Sequence, residues 1–160
     1  MSRPPVKHVD SSLNLATAET IANAVVTTAR EHDTLPLCVA ILDAGGQLVN
    51  FKREDGCGVL RAEIAFGKAY AALGMGMSSR TIGKALANRP VFQGAVATAS
   101  GGRFVPVPGG VSILNEEGLI IGAVGISGDS SECDEFCAIH GIKATGLIPD
   151  PAEPDRSWMN

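Results

Sequence analysis

The segment LCVAILDAGGQLVNFKREDG, residues 37–56, carries the clearest fold signal of the chain. Leu37–Leu42 is a short apolar run with β-branched residues, and Gln47–Arg53 is a second run that fits a strand. Between them, residues 43–46 (DAGG) supply the positive φ angles that a tight turn requires. The segment therefore predicts a β-hairpin whose second strand ends at residues 54–56 (EDG).

Helical patterns lie on both sides of this hairpin. Upstream, apolar residues recur at helical spacing from about Thr17 to Ala29 and form one apolar face. Downstream, residues 60–75 predict a long alanine-rich helix. A serine positioned as an N-cap then precedes a second helix over residues 81–88, which we expect to end before Pro90.

The second half of the chain is rich in glycine and returns to β signals. Three runs predict strands separated by proline-glycine and asparagine-glycine turns: residues 104–107, 111–114 and 119–126. A closing helix is predicted from about Ser131 to Thr145. The order of elements predicts an α+β domain with a five-stranded antiparallel sheet layered with helices.

The length and composition fit one compact domain. The chain has 160 residues, of which 45% are hydrophobic. We place a single domain at residues 14–148, between an N-terminal arm of residues 1–13 and a proline-rich, acidic C-terminal tail of residues 149–160. Abundant alanine and glycine permit close packing within and between subunits, so we expect a homo-oligomer.

Charge and hydropathy argue against two classes of partner. The formal net charge is -4 and the basic residues are scattered, which is unlike a nucleic-acid-binding surface. No segment approaches the roughly 20 apolar residues needed to span a bilayer, and no secretory signal is visible. We therefore expect a cytoplasmic protein whose four cysteines are free thiols.

Four segments together resemble one protein family. They are the hairpin segment quoted above, EIAFGKAYAALGM (63–75), VPVPGGVSIL (105–114) and IIGAVGISGDSSECDE (120–135). In this order they are similar to the GlcG/HbpS family, also called the haem-degrading domain. The resemblance implies a profilin-like fold and a small oligomeric protein that binds haem, a related tetrapyrrole or a small organic acid. Haem as a cofactor is implied by this resemblance alone.

The turn after the hairpin contains the first candidate site residues. Arg53, Asp55 and Gly56 match the R-x-D-G pattern of the family residue by residue. The planar guanidinium of Arg53 is suited to a carboxylate or another anion, and Gly56 permits close approach of a ligand to the backbone. The alternative is an internal ion pair between Arg53 and Asp55 that holds the turn.

Two glycine-rich turns form a second group of candidates. Backbone N–H groups of Gly109 and Gly110, and of the turn at Ser127 and Gly128, are able to face a ligand. Residues 129–131 (DSS) precede the closing helix, whose N-terminus favours anions. The alternative is that the glycines only make turns and that one of these polar residues caps the helix.

Three side chains are candidates for proton transfer: Lys68, His140 and Asp55. Alanines around Lys68 are expected to desolvate it and lower its pKa, although helical lysines commonly extend to solvent instead. His140 shares a helix face with Cys133 and Cys137. One helix does not enclose a tetrahedral ion, so we predict no metal site there and expect the cysteines to be core residues.

Three functional hypotheses follow. The first is an oligomeric binding protein with its cleft between the R-x-D-G turn and the glycine-rich hairpin. The second is a catabolic isomerase, tautomerase or lyase that transfers a proton on a small carboxylate. The third is a structural assembly subunit. If haem binds, the axial donors available are His140, His32, His8 and Tyr70, and none of them lies in a diagnostic motif.

Overall fold

The computed structural model describes residues 3–159, so residues 1, 2 and 160 of the predicted arm and tail lie outside the described part. The helices are α1 (Leu15–Glu31), α2 (Leu60–Met75), α3 (Ser79–Leu86), α4 (Pro90–Ala99) and α5 (Ser131–Lys143). The strands are β1 (Cys38–Asp43), β2 (Leu48–Arg53), β3 (Gly110–Leu114), β4 (Ile120–Ser127) and β5 (Ile148–Asp150). Within residues 3–159, no helix has both the length and the apolar character that crossing a membrane demands.

All five strands join in one antiparallel sheet with the order β2-β1-β4-β3-β5. The predicted α+β fold with a five-stranded antiparallel sheet layered with helices is thus confirmed. Cys38 at the start of β1 lies opposite Arg53 at the end of β2 and opposite Ser127 at the end of β4. Gly110, which starts β3, pairs with Gly125. The candidate residues on strands therefore lie toward one end of the sheet.

The sheet separates two helical layers. Side chains of β1 alternate between them: Val39 and Ile41 join the large core with α1 and α5, whereas Ala40 and Leu42 face α2. The large core also contains buried apolar residues of β3, β4 and α5, among them Val111, Ile113, Val124, Ile126, Phe136 and Ile139. The layer formed by α2 is built mostly from alanine and glycine.

Small residues allow α2 to lie very close to the sheet. A Cβ atom at Gly125 would overlap the carbonyl oxygen of Ala65, and one at Gly110 would overlap the carbonyl oxygen of Lys68. The helix itself presents Ala65 and Ala69, both fully buried, to the same strands. Backbone-to-backbone contact of this kind is possible only where a side chain is absent.

The predicted strand over residues 104–107 is wrong, and β5 is the fifth strand instead. The segment passes over α2, where the Val105 N–H donates to the Gly67 carbonyl at 3.2 Å. Pro106 has no backbone N–H with which to form a hydrogen bond to a neighbouring strand. Strand β5 was not predicted, because its residues overlap the predicted tail and Pro149 disfavours strands. Proline is nevertheless tolerated in an edge strand such as β5.

Helix α4 is absent from the sequence prediction, which ends the helical region before Pro90. Proline is favourable at the first position of a helix, where its missing N–H has no partner to lose. In the structure Pro90 occupies such a position and starts a separate ten-residue helix. The alanines and valine that follow continue it to Ala99.

Substitution of Gly125 by alanine tests the close packing of α2. We expect Gly125→Ala to lower the free energy of unfolding by about 1–3 kcal/mol, because its Cβ must displace the backbone of α2. Urea denaturation followed by circular dichroism measures the change. Gly74→Ala is the matched control, because Gly74 lies on α2 itself, is exposed, and a Cβ there has no atom within 4 Å. Equal unfolding midpoints for the two variants would contradict the packing argument.

Candidate functional site

A buried ion pair joins the two helical layers. The Lys68 Nζ donates to the Asp134 Oδ2 at 2.9 Å, and the two side chains are only 2% and 1% exposed. The other oxygen of Asp134 accepts the backbone N–H of Asp129 at 3.1 Å. Because Lys68 belongs to α2 and Asp134 to α5, this contact connects helices on opposite faces of the sheet.

Burial and charge act in opposite directions on this pair. Burial lowers the pKa of Lys68, while the neighbouring Asp134 carboxylate opposes that change. Burial likewise raises the pKa of Asp134, while the Lys68 ammonium opposes it. The 2.9 Å contact is typical of a charge-assisted hydrogen bond, and we therefore treat the pair as ionised.

Gly109 and Gly110 pack around this ion pair. A Cβ at Gly109 would lie 2.8 Å from the Lys68 Nζ and 3.1 Å from the Asp134 Cβ. The Gly110 N–H donates to the Ser79 Oγ at 2.7 Å. The structure thus brings Lys68 together with the glycine-rich hairpin, but both glycines are buried against protein atoms.

The second glycine-rich turn is buried as well. The Ser127 Oγ accepts a hydrogen bond from the Arg61 Nη1 at 3.3 Å, and Gly128 packs against the backbone of Pro36 and Leu37. In residues 129–131, Ser130 is the N-cap of α5 and its hydroxyl accepts from the Cys133 N–H. These polar groups therefore contact protein atoms: the glycine lies in a turn and Ser130 caps α5, as in the alternative to ligand binding.

The R-x-D-G turn is the exposed part of the predicted site. Arg53, Asp55 and Gly56 are all exposed, and Gly56 has a φ of +83° that favours glycine. Glu54 holds the turn: its carboxylate accepts the Leu37 N–H at 2.8 Å and pairs with Arg30 at 3.0 Å. Among the described residues no ion pair joins Arg53 to Asp55, so both charges face solvent.

The two groups of candidates are separated by the sheet order. Arg53 lies on β2 and Gly110 on β3, with β1 and β4 between them. Three strand spacings of about 4.8 Å place the two strands roughly 14 Å apart. The R-x-D-G turn and the glycine-rich hairpin therefore do not face each other across one cleft, and the roles of these residues stay predictions.

An apolar cleft lies between β2 and α2. We call it the β2–α2 cleft; its volume is about 270 Å³, and its lining residues are Leu48, Phe51, Ala62, Glu63 and Phe66. Leu48 and Phe51 are 52% and 41% exposed although they are large apolar side chains. Arg53 follows Phe51 by two residues, so strand alternation places its side chain on the same face of β2. Arg53 itself lines a separate cleft of about 580 Å³ whose other lining residues are Asn23, Val26, Thr27, Lys52 and Glu54.

An aromatic stack begins at Phe66, which lines the cleft. The Tyr70 ring stacks on Phe66 with centroids 5.8 Å apart, and the Arg103 guanidinium lies 4.2 Å from the Tyr70 centroid. This surface was not predicted from the sequence. The available signal was the pair Phe51 and Phe66 in a chain that is only 4% aromatic.

The candidate histidines lie elsewhere. The Nδ1 of His140 is 2.9 Å from the Phe136 carbonyl, and the Nδ1 of His32 is 2.9 Å from the Thr28 carbonyl. Both rings pack against Phe136, in the layer of α1 and α5. His140 is six residues, about 9 Å of helix, beyond Asp134. His8 is exposed in the N-terminal segment.

The cysteines of α5 belong to the core. Cys133 and Cys137 are fully buried, and all four cysteines of the chain are free. Hydrogen bonding to Cys133 and burial together raise the pKa of Cys137, so its thiol stays protonated. In residues 3–159, no three His, Cys, Asp or Glu side chains are arranged to hold a metal ion.

Removing one partner of the buried ion pair is expected to destabilise the protein strongly. Lys68→Met leaves the Asp134 carboxylate unpaired, which costs about 3–5 kcal/mol of unfolding free energy. The double variant Lys68→Met with Asp134→Leu should lose much less than the sum of the two single changes. Urea unfolding of all four proteins measures this coupling.

An exposed ion pair provides the control for that cycle. Lys143 and Glu153 lie 2.9 Å apart with side chains 42% and 77% exposed, so Lys143→Met should leave the unfolding midpoint nearly unchanged. Additive losses in the Lys68 and Asp134 variants would show that the buried charges do not depend on each other.

Comparison with known proteins adds the family. The model of the haem-degrading, HbpS-like protein family matches residues 13–143. A protein of 15.0 kDa from the dhaT-dhaS intergenic region of Citrobacter freundii is 30% identical over 128 residues, which cover 80% of this chain and 88% of that protein.

Solved structures show the same fold. A PduOC–haem complex is 26% identical with a TM-score of 0.74, covering 84% of this chain and 96% of that one. The Klebsiella pneumoniae protein ORFY is 24% identical with a TM-score of 0.76, covering 91% and 98%. HbpS is 23% identical with a TM-score of 0.71, covering 89% and 96%. With a family match that spans most of its length, this chain belongs to the HbpS-like family of haem-degrading proteins.

Proposed function

We propose that the protein is a homo-oligomeric binding protein for haem or a related tetrapyrrole, and that the β2–α2 cleft is its binding surface. The observation that carries the proposal is the exposure of Leu48 and Phe51 beside a half-buried Phe66. Exposed apolar side chains that are grouped in this way mark binding surfaces. Membership of the HbpS-like family and the likeness to a PduOC–haem complex support the same ligand.

The chemistry of the cleft suits a tetrapyrrole. A porphyrin has a flat apolar face that fits Phe51 and Phe66, and its propionates fit the exposed guanidinium of Arg53. Tyr70, one helical turn beyond Phe66, has a phenol of the kind that serves as an axial haem ligand. Haem bound there would supply the redox and ligand-binding chemistry of its iron. A small organic acid would use Arg53 without the apolar floor.

A haem titration with charge-reversed variants tests this assignment. We expect a saturable Soret shift for the wild type. Arg53→Glu should weaken binding by about 1.5–3 kcal/mol, or roughly tenfold to a hundredfold, because a charge-assisted contact to a propionate is lost. Lys52→Glu is the matched control, since Lys52 lies on the same strand but hydrogen-bonds to Asn23 on the opposite face.

The same titration distinguishes the axial donors. Tyr70→Phe should change the haem spectrum, whereas His140→Ala and His32→Ala should not, because both histidines pack on Phe136 in the other layer. Equal affinities for the Arg53→Glu and Lys52→Glu variants would argue against the β2–α2 cleft. If no shift occurs and native mass spectrometry shows a retained small acid, haem is the wrong ligand class.

We assign the contact between subunits to α4. None of its ten residues is charged and none is buried in the single chain, and Val91 is 87% exposed. A cleft of about 460 Å³ is lined by Asn88, Arg89, Pro90, Val91, Phe92 and Ala95. The Arg89 guanidinium lies 4.4 Å from the centroid of the Phe92 ring. One face of α4 packs on the chain through Val96 and Ala97, whereas the face that carries Val91 and Phe92 is exposed and favours burial against a second copy. The four free cysteines support the cytoplasm as the location of the protein, because disulfides are rare there.

Charge on α4 should lower the oligomer mass. We expect Val91→Glu to produce smaller species by size-exclusion chromatography with light scattering, because a carboxylate resists burial at an interface. Circular dichroism should be unchanged, since Val91 contributes little to the core of one chain. Leu119→Glu, at a residue 59% exposed in the turn before β4, is the control. An unchanged mass for Val91→Glu would place the subunit contact elsewhere.

The proton-transfer enzyme is the second candidate, and one observation favours it. Buried ionisable groups with displaced pKa values, such as Lys68 and Asp134, are frequent in active sites. However, the Lys68 ammonium already bonds to Asp134, and both side chains are almost fully buried. A substrate would have to break that pair to reach the lysine. We therefore rank the pair as a structural link and the binding function first.

A further inference from the structure

Two cysteines from different elements are in contact beside the R-x-D-G turn. The Cys38 Sγ lies 3.3 Å from the Cys57 Sγ, although the residues are 19 positions apart in the chain. Cys38 begins β1, and Cys57 lies in the loop that connects β2 to α2. A disulfide bond is about 2.05 Å long, so the two sulfur atoms need to approach by only about 1.2 Å.

The loop around Cys57 is able to supply this movement. Gly56 and Gly58 flank Cys57, and the nearest atom to a Cβ at Gly58 would be 3.9 Å away. Cys57 is also 8% exposed, while the other three cysteines are fully buried. A small oxidant therefore reaches Cys57 first, and the loop, rather than the paired strand β1, is the part that shifts.

The other two cysteines provide a comparison within the same chain. Cys133 and Cys137 interact one turn apart on α5, but both are fully buried in the large core. A regular helix does not have the freedom of a loop between two glycines. Contact between thiols is thus shared by both pairs, whereas exposure and a position between two glycines in a loop belong to Cys57 alone.

We propose that Cys38 and Cys57 are a modification site at which a peroxide forms an intramolecular disulfide. The Cys57 sulfur, as its thiolate, attacks one oxygen of the peroxide and the O–O bond breaks, which leaves a sulfenic acid on Cys57. The other oxygen takes up the proton that Cys57 lost and leaves as water, or as an alcohol from an organic peroxide. The Cys38 sulfur then attacks the Cys57 sulfur. The S–O bond breaks, and a second water leaves with the proton of Cys38. Two thiols lose two electrons in total, and one peroxide gains them.

The environment of Cys38 fits the resolving role. Burial raises the pKa of Cys38 to about 12, with the contact to Cys57 as the second cause. Cys38 therefore remains a thiol at neutral pH and does not react first. The resulting bond would fix the β2–α2 loop to β1, whatever ligand the protein binds.

Mass spectrometry of the oxidised full-length protein tests the site. The protein is treated with hydrogen peroxide, unfolded in guanidinium chloride with N-ethylmaleimide, and digested with trypsin without reduction. We expect the oxidised chain to carry N-ethylmaleimide on two thiols only, those of Cys133 and Cys137. The other two thiols should together have lost two hydrogen atoms relative to the reduced chain. A single cross-link should join the peptides of residues 31–52 and 54–61. Dithiothreitol should remove it.

Variants keep the result interpretable. Cys38→Ser should abolish the cross-link and leave oxidised Cys57, and Cys57→Ser should leave Cys38 reduced. The double variant Cys133→Ser with Cys137→Ser should retain the cross-link. Four alkylated thiols after peroxide treatment, a cross-link between subunits, or a bond confined to Cys133 and Cys137 would each overturn the proposal.

Discussion

The short distance between α2 and the sheet is the constraint on which the rest of the structure depends. Gly125 and Gly110 leave no side chain between β strands and the carbonyl groups of Ala65 and Lys68. The helix is consequently too close for large residues, and this layer is built from alanine and glycine. Its stability comes from close contact between backbones rather than from extensive apolar side chains.

The same closeness explains why Lys68 is buried. Its Cα is held against β3, so the side chain extends past Gly109 to the first turn of α5 and meets Asp134 at 2.9 Å. A lysine there without a partner would be very costly, because ions lose their hydration in the interior. The pair therefore links the two layers at the end of the sheet where the candidate residues lie.

The polar residues predicted for one site serve two different purposes in the structure. Gly109, Gly110, Ser127 and Gly128 are buried and complete contacts within the chain. Arg53 and Asp55 remain exposed because Glu54, between them, holds the turn through Leu37 and Arg30. Arg53 lies on β2, the strand that supplies Leu48 and Phe51 to the β2–α2 cleft, which is why the binding proposal centres on that edge of the molecule.

Local patterns were sufficient for most elements. The hairpin was predictable because its turn chemistry and both strands lie within twenty residues, and α2 and α5 because apolar and small residues repeat along them. Strand β5 and helix α4 were not predictable from local patterns. Strand β5 depends on a distant partner strand, and α4 begins at a proline that is equally compatible with the end of a helix. A strand of three residues, Ile148–Asp150, exists only because β3 offers it an edge.

The sequence by itself determined the fold class, the family and the list of polar candidates, because turn residues, periodicity and motif order are local properties. Only the tertiary structure decided that Lys68 pairs with Asp134, that Cys38 touches Cys57, and that Leu48 and Phe51 form an apolar cleft with α2. These partners are distant in the chain. Their contacts follow from strand order and from the spacing between layers, which no local pattern encodes.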